Sequence, residues 1–196
     1  MARMEAVDTA IGVAGFLLAV VLLVVSVVRL VLQRRREAAG RRRVLEALAG
    51  RFGLSESGPR EVAGRIGRRE VVVWFQKGYL LTVRIELAAR VLPRAVRVVE
   101  FPDGPYQKQE ALHIGGAATT GDEEFDSRFL VFAPPDVARG IPGELRRCLL
   151  DHPVPDMVLS RGELSCLLPM QPAAAVSRLE ELLALGDAIE ALGAPT

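Results

Sequence analysis

Few side chains in this sequence are suited to chemistry. Two histidines, two cysteines, one tryptophan and an aromatic share of 5% leave little material for a metal cage, a nucleophile with its base, or an aromatic platform for nucleotide bases. Nucleic-acid binding is excluded on those grounds: no recognisable binding module accompanies the basic residues, and aromatics to stack on bases are too sparse. Charge of one sign is also missing overall, since 25 basic residues stand against 24 acidic ones.

Known catalytic and metal-binding signatures fail one by one. In "DEEFDS", Asp122, Glu124 and Asp126 fall at positions 1, 3 and 5 of a calcium loop. Position 6 is Ser127 where Gly is needed and position 12 is Ala133 where Glu is needed, so an EF-hand is excluded. "GGAATTG" over 115–121 lacks the Lys and following helix of a phosphate loop. Paired carboxylates of the glycosidase kind must face each other across a bond, whereas neighbours on one turn diverge. Cys148 and His152, with His113 and Cys166, contain the residue types of a zinc set. Yet Cys166 alternates with Leu164 and Leu168, and Cys148 lies in an apolar helix, so both read as core thiols. The same burial opposes a Cys/His nucleophile. No catalytic residue, metal site or cofactor is expected.

What is present begins with a long apolar run. "AIGVAGFLLAVVLLVVSVV", from Ala10 to Val28, has 19 residues without a charge and extends past Arg29 to Leu32. At 1.5 Å per residue it approaches the roughly 30 Å of a bilayer core. Basic residues follow it closely: Arg34, Arg35, Arg36, Arg41, Arg42 and Arg43, against Arg3 before it. The expectation is a transmembrane helix over 10–32 after a short tail over 1–9. It would anchor a single-pass inner-membrane protein with its N-terminus outside and its C-terminal domain cytoplasmic. Those six arginines are then lipid-headgroup contacts, with anionic lipids as a partner. Gly15 and Ala19 form one small-xxx-small pair, a weak basis for homo-association of the span.

Beyond the span, residues 33–54 read as a basic amphipathic helix with Val44, Leu45, Leu48 and Phe52 on one side, lying on headgroups or packing on the domain. Residues 33–70 hold eleven Arg and five Glu, a balance of +6. Residues 71–196 hold twelve basic and seventeen acidic side chains, a balance of −5. The turn formers of "SESGPREVAG" make 55–69 a linker.

From Glu70 the period changes to two. "VVVWFQ" and "YLLTVRIEL" flank Lys77 and Gly78 at hairpin spacing. Leu81, Val83 and Ile85 share one face, while Thr82, Arg84 and Glu86 share the other, and Trp74 is a core or sheet-face residue. Strands are also expected over 95–101, 109–114 and 127–133, with a last hairpin around Arg161 and Gly162. An amphipathic helix over 173–192 ends the chain. The fold class is therefore α+β: an N-terminal transmembrane helix, then an antiparallel sheet or barrel of six or seven strands within 70–196. That layout is compatible with a pleckstrin-homology-like barrel closed by the C-terminal helix.

The densest stretch is "TGDEEFDSRF". Gly121, Asp122, Glu123, Glu124, Phe125, Asp126, Arg128 and Phe129 form the candidate motif, for interaction or for structure. The structural reading makes Asp122 a helix cap accepting from the amides of Glu124 or Phe125, sends Phe125 into the core, and uses Asp126 to hold the entry of the next strand. "GDEEFDSRFLVFA", followed by a helical segment and "LSRGELSCLLP", resembles an uncharacterised bacterial family of membrane-anchored proteins. That family shows Gly-Asp-x-x-Phe-Asp-x-x-Phe before a strand, matched here by Gly121, Asp122, Phe125, Asp126 and Phe129. The resemblance spans the last two thirds of the chain in layout and implies an architecture but no activity.

The function expected is a non-catalytic interaction or scaffolding module with a protein partner, the acids over 122–126 meeting basic groups. The alternatives are a domain that binds membrane lipid itself and, behind it, an enzyme or metal site using those acids with His113.

Overall fold

The computed structural model describes residues 2–76, 80–88, 92, 94–100, 116–152, 154 and 156–192, with side chains from residue 22 onward. The chain forms two compact units, 1–42 and 43–196. Helix α1 covers Ala2–Phe52 and contributes to both. Within the first unit, Ser26 Oγ donates to the Leu22 carbonyl at 2.8 Å and Gln33 Nε2 donates to Glu37 Oε1 at 3.0 Å.

The expected transmembrane helix over 10–32 is corrected here. The side chains of 10–21, Ala19 among them, are not described. Among the described residues no helix is long and apolar enough to cross a membrane. The single-pass topology, the inner-membrane location and the orientation that rested on that helix fall with it.

The second unit is built on eight described strands: β1 (Ser55–Gly58), β2 (Glu61–Ile66), β3 (Arg69–Gln76), β4 (Leu80–Glu86), β5 (Val96–Glu100), β6 (Phe129–Phe132), β7 (Asp156–Ser160) and β8 (Glu163–Leu168). They form one sheet in the order β1-β2-β3-β4-β8-β7-β5-β6, each neighbouring pair antiparallel. β1 and β6 are its edges, so the sheet is open and the barrel expectation is corrected. The stretch read as a linker over 55–69 folds as β1 and β2. Pro59 and Arg60 make the turn between them and Gly67 begins the next, while Gly64 lets the strand approach Leu54, whose Cδ2 would stand 3.1 Å from an added Cβ. The Lys77–Gly78 turn and the strand expected over 109–114 lie outside the described residues.

Alternation gives each strand two faces. One row crosses seven strands in register, Val62–Val73–Val83–Cys166–Met157–Val98–Val131, and every member is buried. Helices cover this inner face. Val44, Leu45 and Leu48 of α1 pack into the same core, as do Leu179, Leu182, Leu185 and Ile189 of the C-terminal helix α5 (Pro172–Leu192). The short helices α2 (Glu123–Arg128), α3 (Pro135–Arg139) and α4 (Gly143–Asp151) contribute Phe125, Ala138, Leu145 and Leu149. Fully burying one such Leu or Phe contributes roughly 1.5–3 kcal/mol, and this shared apolar cluster is what holds the layers together.

Polar contacts fix α5 on the sheet. Arg69, the inner-face residue at the start of β3, donates from Nε and Nη2 to Glu190 and from Nη2 to Asp187 Oδ1 at 2.6 Å. Glu190 also accepts from the Ala88 amide at 2.8 Å and from Arg68 Nη2 at 2.7 Å. The Arg69 bonds above all hold the Glu190 carboxyl down at about 2.

Candidate functional site

Asp122 is the N-cap of α2: its Oδ1 accepts from the Phe125 amide at 3.1 Å and its Oδ2 from Arg146 Nε at 3.0 Å. The Phe125 amide, followed by the Arg146 guanidinium, lowers its pKa below the usual carboxylate value. Asp126 folds back over the turn before α2, accepting from the Thr120 amide and hydroxyl and from the Gly121 amide at 2.9–3.1 Å. Gly121 adopts φ +85°, a left-handed conformation that a side chain would strain. Phe125 and Phe129 are buried with ring centroids 4.9 Å apart. Arg128 donates from Nε to Glu100 Oε1 at 3.0 Å and from Nη1 to the Leu150 carbonyl at 3.2 Å. Six of the eight motif residues thus hold the turn and its strand entry. Glu123 and Glu124 face solvent.

The arginines named as headgroup contacts all lie on α1. Arg34, Arg35, Arg36, Arg42 and Arg43 are exposed and Arg41 is half-buried. The basic segment's apolar side, from Val44 to Phe52, packs on the domain.

Neither thiol is primed for chemistry. Burial raises the pKa of both, pushing Cys166 up to about 12. His113 lies outside the described residues, and among the described residues no group of three His, Cys, Asp or Glu gathers as a metal set would. A cleft of about 520 Å³ is lined by Glu100, Asp151, His152, Val154, Arg178 and Glu181. Its charges are largely spent internally, with Arg178 on Glu181 at 2.7 Å and Glu100 on Arg128 at 2.9 Å.

The sheet's other face carries a feature that sequence reading did not single out. Trp74 on β3, Thr82 on β4 and Leu167 on β8 stand side by side in register. Val72 and Trp74 are half-buried and Leu167 keeps 42% of its surface exposed. None of the three belongs to the apolar cluster that unites the helices with the inner face. Thr82 is 9% exposed, and among the described residues its Oγ1 is a buried side-chain oxygen with no hydrogen-bond partner. Such a group costs free energy wherever it stays unmet. Two residues further along each strand lie Arg84 and Ser165, and two beyond them Glu86 faces Glu163 directly. The alternation already separates Thr82, Arg84 and Glu86 from the core-facing residues. What the sequence does not convey is that β8 is the neighbour of β4.

No family model matches the chain, and no curated protein does. One solved structure is similar, the crystal structure of the mycobacterial trehalose monomycolate transport factor A, TtfA. It is 14% identical, with 80% of this chain and 98% of that one covered, at a TM-score of 0.48. A likeness at that level carries no argument for what this chain does.

Proposed function

We propose that residues 43–196 act as a non-catalytic protein-interaction module, and that the binding surface is the outer face of the sheet around Trp74, Thr82 and Leu167, which no helix covers among the described residues. The row itself carries this reading. A half-buried Trp and an exposed Leu flanking a dehydrated hydroxyl make an apolar centre rimmed by charge, the anatomy of an interface whose aromatic anchor supplies most of the affinity.

The sheet edges support the choice of a face over strand addition. β1 is four residues long with a register shift between Glu56 and Gly58, and Ala118 bridges Val131 on β6, its amide donating to the Val131 carbonyl at 2.8 Å. Short, irregular or covered edges resist pairing with another chain.

A photo-crosslinking amino acid at position 167 of the full chain tests the proposal in the native host. One discrete protein adduct is expected, weakened by Trp74→Ala and absent when the same group sits at position 181. Glu181 lies on α5, which covers the opposite face. An adduct of equal strength from both positions, or none from 167, overturns it.

A further inference from the structure

We infer that the partner of this face is a basic amphipathic protein segment, seating apolar side chains on the Trp74–Thr82–Leu167 row and Lys or Arg side chains over Glu86 and Glu163; the inference rests on the interaction reading above. Glu86 and Glu163 are directly opposed across β4 and β8, and both are exposed. Like charges in that position destabilise a sheet. Neither carboxylate takes part in a hydrogen bond or ion pair among the described residues.

Glu70 extends the arrangement. It lies one position before Val71, which pairs Ile85, so it flanks Glu86 on the same face. Three carboxylates then run across three adjacent strands at about 4.8 Å per strand, close to the roughly 5–6 Å between i and i+4 side chains on a helix. Arg84 is exposed between the two rows, and Arg65 pairs in register with Glu70. Counting Glu61 beside Trp74 and the Asp156–Arg97 ion pair beyond Leu167, five carboxylates meet three guanidiniums around the apolar row among the described residues. From the glutamates to the apolar row is four residues along each strand, about 13 Å. A helix about 10 Å across with an extended Lys or Arg covers that distance. A partner cation between Glu86 and Glu163 relieves their repulsion, so part of the binding energy comes from a cost the free domain carries.

The chain's single tryptophan is Trp74, so its emission reports on this face directly. The probes are two Trp-free amphipathic helical peptides of one pattern, Lys/Leu and Glu/Leu, titrated against the full chain. The Lys/Leu peptide is expected to give a saturable blue shift and the Glu/Leu peptide none. Glu163→Lys should weaken the Lys/Leu peptide about tenfold while leaving the unfolding midpoint equal to or above that of the wild type. A residue of merely structural importance would not separate those two readouts.

Equal binding of the two peptides, or unchanged binding by Glu163→Lys, overturns the charge assignment while the position-167 adduct still stands. A blue shift with anionic phospholipid vesicles and none with the Lys/Leu peptide assigns the face to lipid and overturns the protein segment. Absence of the position-167 adduct overturns the interaction reading and this inference with it.

Discussion

Arg69 and Glu190 face each other with side chains only 7% and 3% exposed, at 2.8 Å between Nη2 and Oε2. They tie the first residue of β3 to the last turns of α5. Breaking a buried pair from one side strands the other charge without water, at a cost of roughly 3–5 kcal/mol. Arg51 and Glu180 make a bridge of the same 2.8 Å length but are 64% and 46% exposed. Exposed pairs of that kind contribute at most about 1 kcal/mol. Glu190→Ala should therefore lower stability several times more than Glu180→Ala in denaturant unfolding of the full chain. Equal losses would refute the clamp.

The same carboxylate sets a pH dependence. Its folded pKa of about 2 lies below the ordinary 4.5, chiefly through the Arg69 hydrogen bonds. A depressed folded pKa means that the unfolded chain takes up the proton first. The stabilisation is complete above the ordinary value and is lost as pH falls from about 4.5 towards about 2. Asp122, also depressed, adds to the slope in the same direction. Denaturant midpoints measured across this range should fall steeply in the wild type and less steeply in Glu190→Gln, whose slope would match the wild type if the clamp were irrelevant.

The acidic turn divides into two pairs with opposite predictions. Asp122→Ala with Asp126→Ala removes the α2 cap and the acceptor for three donors around Thr120 and Gly121, so the thermal midpoint should drop by several degrees, on the order expected for losing a cap and its neighbours. Glu123→Ala with Glu124→Ala touches exposed side chains and should leave it within about one degree. Phe125→Ala, emptying a fully buried ring site beside Phe129, should cost roughly 3–5 kcal/mol. A harmless Asp122/Asp126 double variant would mean that the turn is held by something else.

Thiol reactivity checks the core placement of both cysteines. A thiol reagent at mildly alkaline pH should modify Cys148 and Cys166 only as fast as the domain opens, since burial raises both pKa values. In denaturant both should react at once. Rapid reaction of the folded chain at Cys166 would contradict its place on the inner face of β8.

Local signals in the sequence were readable because local physics produces them. The period-two runs of β3 and β4, the apolar stripe of α5 and the Asp122–Phe125 cap each depend on residues within a few positions. β1 and β2 were hidden by Gly58, Pro59 and Gly64, whose turn chemistry outweighs the weak alternation of Val62 and Ile66. The length of the apolar run and the basic residues after it suggest a spanning helix, yet among the described residues no helix is long and apolar enough to cross a membrane. Thr82 and Glu86 could be assigned to a non-core face from alternation alone. That Leu167 and Glu163 sit beside them depends on a pairing between residues about eighty positions apart, and no periodicity encodes that.

Oxidative footprinting of Trp74 and Leu167 tests the central claim most directly, comparing the purified full chain with the same chain inside its native host. Engagement of the sheet's open face predicts strong protection of both residues in the host, with α5 surface residues such as Leu192, 39% exposed, oxidised equally in both samples. Equal oxidation of Trp74 and Leu167 in the two samples would contradict the assignment of that face to a partner.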